Sequence, residues 1–237
     1  MKERTREEPK ILAAAERQMQ AWVRAAEIQD RALREEDPSR LTERLGKYIA
    51  ISREAGAGGS EIARLVGEEL GWEVLDKSLL DHVAERLQVS PMTLELVDET
   101  QSNWVFDVLG TWMDRTIITH DKYVAHLGRV ILAAARRGNV VLVGRGAQFL
   151  LPRNKGLAVR LVAPLKYRVE RIMQCENLGE PDARRFVEQL DAGRREFAER
   201  YFHRDIGDPG LYDLVINVAR LGPAGAVEQI IAAMRRV

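Results

Sequence analysis

The chain has 237 residues, 46% of them hydrophobic, and its 36 basic and 36 acidic residues leave no formal net charge. This composition is sufficient for one large α/β domain, alone or with an extension, and it argues against general nucleic-acid binding, which needs a basic excess. The single cysteine, Cys175, excludes an intrachain disulfide, and because no apolar run approaches the roughly 18 residues that span a bilayer and no signal sequence opens the chain, we expect a cytoplasmic protein without membrane contact.

The first predicted element is one long helix over residues 1–36. Its small and apolar side chains recur every three or four residues, which is a heptad seam and predicts a homodimer through this helix. Docking onto this chain's own helices is the alternative. Pro38 forces the preceding residue out of helical geometry, so we assign residues 1–46 to an N-terminal helical extension and linker. The seam consists of Leu12, Ala15, Met19, Trp22, Ala26, Gln29 and Leu33.

From Lys47 onward, short apolar runs alternate with longer helical stretches. The runs are apolar at nearly every position, which fits strands that are buried on both faces. Strands alternating with helices predict an α/β fold in which a five-stranded parallel sheet has helices on both faces. Residues 77–135 contain no obvious strand and are predicted to form a helical insertion after the second strand. The predicted strands are 47–52, 72–76, 140–144, 159–163 and 213–217.

The first strand runs into a glycine-rich turn, REAGAGGSE, that precedes a predicted helix. In such a turn the backbone N–H groups converge on a phosphate, and the helix N-terminus adds partial positive charge. On the pattern G-x-x-x-x-G-K-[ST], Gly58 takes the second glycine position, Gly59 the lysine position and Ser60 the hydroxyl position. Gly56 is an additional glycine. A tight connection with Ser60 as the helix N-cap is the alternative.

Because the loop lacks its lysine, another cation has to compensate the phosphate charge. Arg53 stands at the carboxyl end of the first strand, where ligands bind in open α/β sheets. Its guanidinium can donate two hydrogen bonds to one phosphate. We therefore predict that Arg53 supplies part of the missing charge, with an ion pair to Glu54 or Glu61 as the alternative.

Four segments, taken in order, resemble the cytidylate-kinase-like family, a branch of the P-loop nucleoside monophosphate kinases. The resemblance covers about residues 47–235 and implies a kinase domain over 47–237, with an acceptor-binding insertion at 77–135 and a lid at 176–206. It also implies transfer of the γ-phosphoryl group of ATP to a nucleoside monophosphate such as CMP, with Mg²⁺. The segments are AISREAGAGGSEIARLVGEELGWEVLDKSLL, GNVVLVGRGAQFLLP, VRLVAPLKYRVERIM and LDAGRREFAERYFHRDIGDPGLYDLVINVARLG.

The resemblance implies roles for residues at the ends of the first three strands. The glycine turn and Ser60 would bind the ATP phosphates, and Ser60 would also ligate Mg²⁺. Arg145, in the third-strand GRG motif, would be a catalytic residue and a ligand of the acceptor phosphate. An aspartate follows this arginine in better-known members of the family, whereas Gly146 follows it here. Asp76 would bind the acceptor or organise Mg²⁺, with a helix N-cap as its alternative.

The lid carries the remaining predicted residues. Asp191 and Arg194 match the family's D-x-x-R motif and lie one helical turn apart, so they can pair. Arginines that close over the transferring phosphoryl group would stabilise its charge. We predict catalytic roles for Asp191, Arg194 and Arg53, and ATP binding by Arg195. A solvated helical face is the alternative for the lid arginines.

These observations predict a nucleoside monophosphate kinase-like phosphotransferase whose partners are small nucleotides. Its acceptor would be CMP or a related small compound. The missing lysine favours a second class, a catalytically impaired nucleotide-binding sensor or scaffold of the same fold. In either class, we expect a bound anion to contact Arg145 and at least one of Arg53 and Arg194.

Overall fold

The computed structural model describes residues 21, 45–76 and 122–237. The predicted helix over 1–36 with its dimer seam, and most of the predicted insertion, therefore fall outside the described residues. The chain divides into two compact units. One consists of Lys47–Val74 and Asn139–Val237, and the other contains the described residues up to Gly46 and those from Leu75 to Gly138.

The sheet has five strands in the order β2-β3-β1-β4-β5. β1 lies parallel to β3 and to β4, and β4 lies parallel to β5. The predicted five-stranded parallel α/β fold is confirmed. The strands are β1 (Tyr48–Arg53), β2 (Glu73–Leu75), β3 (Val140–Val143), β4 (Gly156–Val162) and β5 (Leu214–Asn217).

The start of β4 differs from the prediction, which placed it at residue 159. The strand begins at Gly156, and Gly156 pairs with Tyr48 of β1. A Cβ placed on Gly156 would lie 2.1 Å from the Tyr48 ring, so only glycine fits beside the tyrosine. Glycine is typical of a turn in a sequence, but here it serves the close packing of two strands.

Six helices and one 3₁₀ turn, Pro209–Leu211, connect the strands in the described part of the chain. The fourth helix, α4, carries the exposed Cys175 near its end. Among the described helices, none combines the length and the apolar character that crossing a bilayer requires. The helices are α1 (Gly59–Leu70), α2 (Lys122–Arg137), α3 (Ala147–Leu150), α4 (Leu165–Glu176), α5 (Glu180–Phe202) and α6 (Val218–Met234).

The main core lies on one face of the sheet, beneath α1 and α6. Ile51 of β1 and Leu161 of β4 are fully buried there against Ile62 of α1 and Ile230 of α6. Successive strand residues point to opposite faces, and Ser52 on the opposite face is also buried. Burying one such isoleucine contributes about 1.5–3 kcal/mol. β1 is thus held rigidly and presents the glycine turn at its carboxyl end.

Candidate active site

The glycine turn at the carboxyl end of β1 has unused backbone donors. No hydrogen bond within the described residues begins at the N–H of Gly56, Gly58, Gly59 or Ser60. The first N–H groups of a helix have no intrahelical acceptor and carry the partial positive charge of its N-terminus. The turn therefore presents several N–H groups to an anion.

Gly58, and not Ser60, is the N-cap of α1. Gly58 has φ 78° and adopts the left-handed conformation that glycine tolerates best. The alternative interpretation of Ser60 as the cap is therefore wrong. Ser60 is exposed in the first turn of α1, next to the unused N–H groups.

The Arg53 side chain lies between the start of α1 and the end of β3. A Cβ placed on Gly59 would lie 2.6 Å from Cγ of Arg53, and one placed on Gly144 would lie 2.0 Å from its Nη1. The stem of Arg53 thus occupies the space that a side chain at the lysine position would enter. The two carboxylates considered as alternative partners pair with other arginines, Glu54 with Arg168 and Glu61 with Arg171.

A cluster of charges ties the glycine turn to α4 and α5. The Arg168 guanidinium is buried; its Nε donates to the carbonyl oxygen of Ala163 at 2.9 Å and its Nη1 to Asp191 Oδ2 at 2.5 Å. The other carboxylate oxygen of Asp191 accepts the N–H of Ala55 at 2.8 Å. Glu54 Oε2 lies 3.4 Å from Arg168 Nε. Asp191 therefore braces the turn, and its predicted catalytic role stays a prediction.

Arg194 reaches the end of β1 from α5. Its Nη1 donates to the carbonyl oxygen of Arg53 at 2.9 Å and lies 3.6 Å from Asp191 Oδ1. Burial lowers the pKa of Arg194, and the guanidiniums of Arg160 and Arg168 lower it further, while Asp191 raises it. Arg194 thus lies at the end of β1 beside other positive charges.

Arg145 follows β3 and is held against α5. It has φ 53°, which is unusual for a residue other than glycine. Its guanidinium carbon lies 5.0 Å from the ring centroid of Phe197, which follows Arg194 by three residues. Arg53 thus lies beside Gly144, the residue before Arg145, while Arg145 lies over a ring of α5, the helix that also carries Arg194.

Two further predicted residues, Arg195 and Asp76, lie at exposed positions. Arg195 is exposed on α5, and Asp76 is exposed directly after β2, in the other compact unit. Their roles in binding ATP and the acceptor stay predictions. Within the residues that the structure describes, no three His, Cys, Asp or Glu side chains are grouped so that they could hold a metal ion.

Two arginines of α4 that are not among the predicted site residues also contact the turn. Arg168 donates to the carbonyl oxygen of Ala55 in the turn and pairs with Asp191. The guanidinium carbon of Arg171 would lie 3.3 Å from a Cβ on Gly58, and this side chain pairs with Glu61. Their three-residue spacing places them on one helix face, but spacing does not show that this face meets the turn.

Comparison with known proteins points to one family. Residues 48–220 match the cytidylate kinase-like family. The chain is 26% identical over 186 residues to the cytidylate kinase of Pyrococcus horikoshii, covering 78% of this chain and 87% of that protein. It is 25% identical over 189 residues to the cytidylate kinase of Methanocaldococcus jannaschii, covering 78% and 96%. A crystal structure of an uncharacterized protein from Eubacterium ventriosum shares the fold, with a TM-score of 0.65, 23% identity and coverage of 80% and 98%.

Proposed function

The chain belongs to the cytidylate kinase-like family, and from this premise we propose that it transfers the γ-phosphoryl group of ATP to CMP or a related small acceptor. Membership of the family supports a nucleoside monophosphate kinase-like phosphotransferase. The transfer of phosphate from ATP to CMP or a related acceptor is supported by the glycine turn, where unused N–H groups lie beside Arg53 and Arg194.

Phosphoryl transfer needs positioning and charge compensation more than covalent help from the protein. The N–H groups of Gly56, Gly58, Gly59 and Ser60 would bind the phosphates of ATP. Guanidiniums would supply the positive charge that a loop lysine supplies elsewhere, because each can donate two hydrogen bonds to a phosphate. Arg53 stands at the turn itself, and Arg194 approaches from the lid helix.

Arg145 would bind the acceptor phosphate from the other side of the site. It follows β3, the neighbour of β1, and its guanidinium rests on the ring of Phe197. The left-handed backbone conformation at Arg145 is strained for a residue with a side chain and is not needed at an ordinary surface arginine. Such strain is typical of residues held in place for a ligand.

The residues at the turn fit a Mg²⁺ ion that binds mainly to the nucleotide phosphates rather than to a protein site of its own. Mg²⁺ in such sites keeps several waters and binds one or two protein groups besides the substrate phosphates. The exposed hydroxyl of Ser60, beside the unused N–H groups, suits one of these positions. Asp76 is the other candidate. The ion would neutralise charge on the phosphates.

The test is an assay of acceptor-dependent ADP formation with CMP, dCMP, UMP, AMP and GMP. We expect turnover with ATP and Mg²⁺ that is highest with a pyrimidine monophosphate. ADP that forms at the same rate without any acceptor would contradict transfer to a small acceptor. An Arg153→Gln variant, altered in an exposed arginine that pairs with Asp213, is the control for charge loss elsewhere.

The second candidate, a nucleotide-binding sensor or scaffold, is favoured by one feature. The lysine position is Gly59, and the stem of Arg53 fills the space above it. Titration calorimetry with ATP separates the two functions. ATP binding without turnover of any acceptor supports the sensor, and the absence of both contradicts both functions.

A further inference from the structure

Arg160 is a charged side chain within β4 that the proposed transfer has not used. It stands in register with Ser52 of β1 and Val215 of β5. Its Nη1 donates to Ser52 Oγ at 2.7 Å, and its guanidinium carbon lies 5.9 Å from the ring centroid of Tyr212. Ser52 and Tyr212 are both buried. A charge inside a strand of the sheet is costly unless a counter-charge accompanies it.

The described residues supply no carboxylate for Arg160. None of the ion pairs found among them includes it, whereas Arg168 pairs with both Glu54 and Asp191. Arg194 has to share Asp191. Arg160, Arg168 and Arg194 thus bring three positive charges to the end of β1, where the ion pairs use the two carboxylates of Glu54 and Asp191.

The neighbouring positive charges act on Arg194. Burial is the largest cause of its lowered pKa, and the charges of Arg160 and Arg168 lower it further against the opposing effect of Asp191 and Glu54. Arg160 bonds Ser52 and Arg194 bonds the carbonyl oxygen of the next residue, Arg53, so both positive charges lie at the same end of β1, where they repel each other. Charges removed from water stabilise a protein only when they are well paired, so an anion between the two arginines would relieve the repulsion.

We propose that Arg160 and Arg194 together bind a phosphate group, and that the bond to Ser52 and the ring of Tyr212 orient Arg160 for it. This inference rests on the proposed function, because the phosphate would belong to the nucleotide donor or to the acceptor. Arg194 bonds the carbonyl oxygen of Arg53 and so marks the side of the turn on which the phosphate lies. Arg160 is only half-buried, which leaves part of it accessible.

A structural role and a ligand-binding role for Arg160 predict opposite effects of its substitution on the melting temperature. If Arg160 serves the fold, Arg160→Gln should lower the melting temperature and leave anion binding unchanged. If Arg160 binds a ligand, Arg160→Gln should bind pyrophosphate more weakly than wild type does. It should melt at the same temperature or higher, because the repulsion with Arg194 is removed and the glutamine amide still reaches a hydrogen-bond partner. Residues kept for ligands commonly lower stability in this way.

The experiment titrates pyrophosphate, a non-hydrolysable ATP analogue and CMP into wild type and Arg160→Gln by calorimetry. A hydrogen bond to a charged group contributes about 1.5–3 kcal/mol, so we expect pyrophosphate affinity to fall about 10- to 100-fold. A parallel loss for the ATP analogue alone assigns the phosphate to the donor, and a loss for CMP alone assigns it to the acceptor. Unchanged affinity for all three ligands overturns the proposal.

Three further variants keep the test decisive. Arg153→Gln removes an exposed arginine that pairs with Asp213 and should change each affinity less than twofold. Ser52→Ala keeps the charge but removes the orienting bond, so it should weaken pyrophosphate binding less than Arg160→Gln does. If Arg160→Gln fails to fold, Arg160→Met replaces it, because methionine also removes the charge while keeping an unbranched side chain, and pyrophosphate affinity equal to wild type would then overturn the proposal.

The titrations do not depend on turnover, so the two proposals fail separately. Wild type that transfers phosphate while Arg160→Gln binds every ligand equally well keeps the proposed function and overturns the role of Arg160. Pyrophosphate binding that depends on Arg160, without transfer to any acceptor, supports the subsite and contradicts the kinase activity.

Discussion

Among single residues, Asp191 shows how closely α5 is tied to the glycine turn. One carboxylate accepts the N–H of Ala55 in the turn, pairs with the buried Arg168 and lies near Arg194. Its side chain is only 12% exposed, so water does little to replace these partners. The carboxylate therefore contributes to the shape of the glycine turn.

We expect Asp191→Ala to lower the free energy of unfolding by about 3–5 kcal/mol, because it leaves the Arg168 charge buried without its closest partner. Urea unfolding measures this. Asp182→Ala is the matched control on the same helix, since its pair with Arg185 is exposed. Exposed pairs contribute about 0–1 kcal/mol. Equal losses in the two variants would contradict the bracing role.

A second residue-scale prediction concerns Arg145. We expect Arg145→Gln to lower kcat/KM by roughly 100-fold or more, because one preorganised donor to developing charge contributes about that much. Arg200→Gln is the control, since that guanidinium also lies over a ring, 5.5 Å from the Tyr201 centroid, but at an exposed position of α5. Steady-state assays with CMP compare them. Activities within threefold of each other would refute the role of Arg145.

At the scale of elements, the strand–turn–helix of β1 and α1 and the turn after β3 form one site because Arg53 packs between them. Gly144 has φ 80° and leaves the space that Arg53 Nη1 occupies. Any side chain at this position would push the guanidinium away. The spacing between the glycine turn and the turn after β3 therefore depends on the Arg53 side chain and on the lack of a side chain at Gly144.

We therefore expect Gly144→Ala to lower kcat/KM about as much as Arg53→Gln does, and the double variant to lose little more. Effects of residues in contact are not additive. Gly71→Ala is the matched control: φ is +65° there, nothing lies within 4 Å of the new methyl group, and the backbone strain is similar. A double-mutant cycle on purified variants provides the measurement. Additive losses, or an equal loss of activity in Gly71→Ala, would contradict the coupling.

The elements themselves were largely predictable, whereas the contacts between them were not. Continuous apolar runs predict buried parallel strands wherever both faces are covered, and this holds for β1 and β3. The start of β4 was missed because Gly156 fits a turn until the ring of Tyr48 is seen beside it. Arg168 was missed because charged helical residues are usually exposed, and its burial depends on Asp191, 23 residues further along.

On the scale of the whole molecule, a chain without net charge contains a locally positive region. The formal net charge is zero, yet four arginines contact the carboxyl ends of the central strands or the neighbouring helix α5: Arg53, Arg145, Arg160 and Arg194. Local clusters of one sign attract ligands even when the total charge is balanced. Small anionic ligands are therefore favoured over long polyanions.

We expect ATP at about 100 times its Kd to stabilise the protein by about 2.7 kcal/mol, and adenosine at the same concentration to have almost no effect. The reason is that the predicted contacts are made to phosphates. Thermal unfolding with and without each compound measures the difference. Adenosine that stabilises as much as ATP would show that the base, and not the phosphates, dominates binding.

The exposed thiol on α4 has a practical consequence. Cys175 is the only cysteine of the chain and lies one helical turn beyond Arg171, whose guanidinium rests against Gly58. A maleimide fluorophore would thus attach at a single place, without the removal of any other thiol. Its emission would report in real time when a compound enters the neighbouring loop, in a protein whose arginines are all intact.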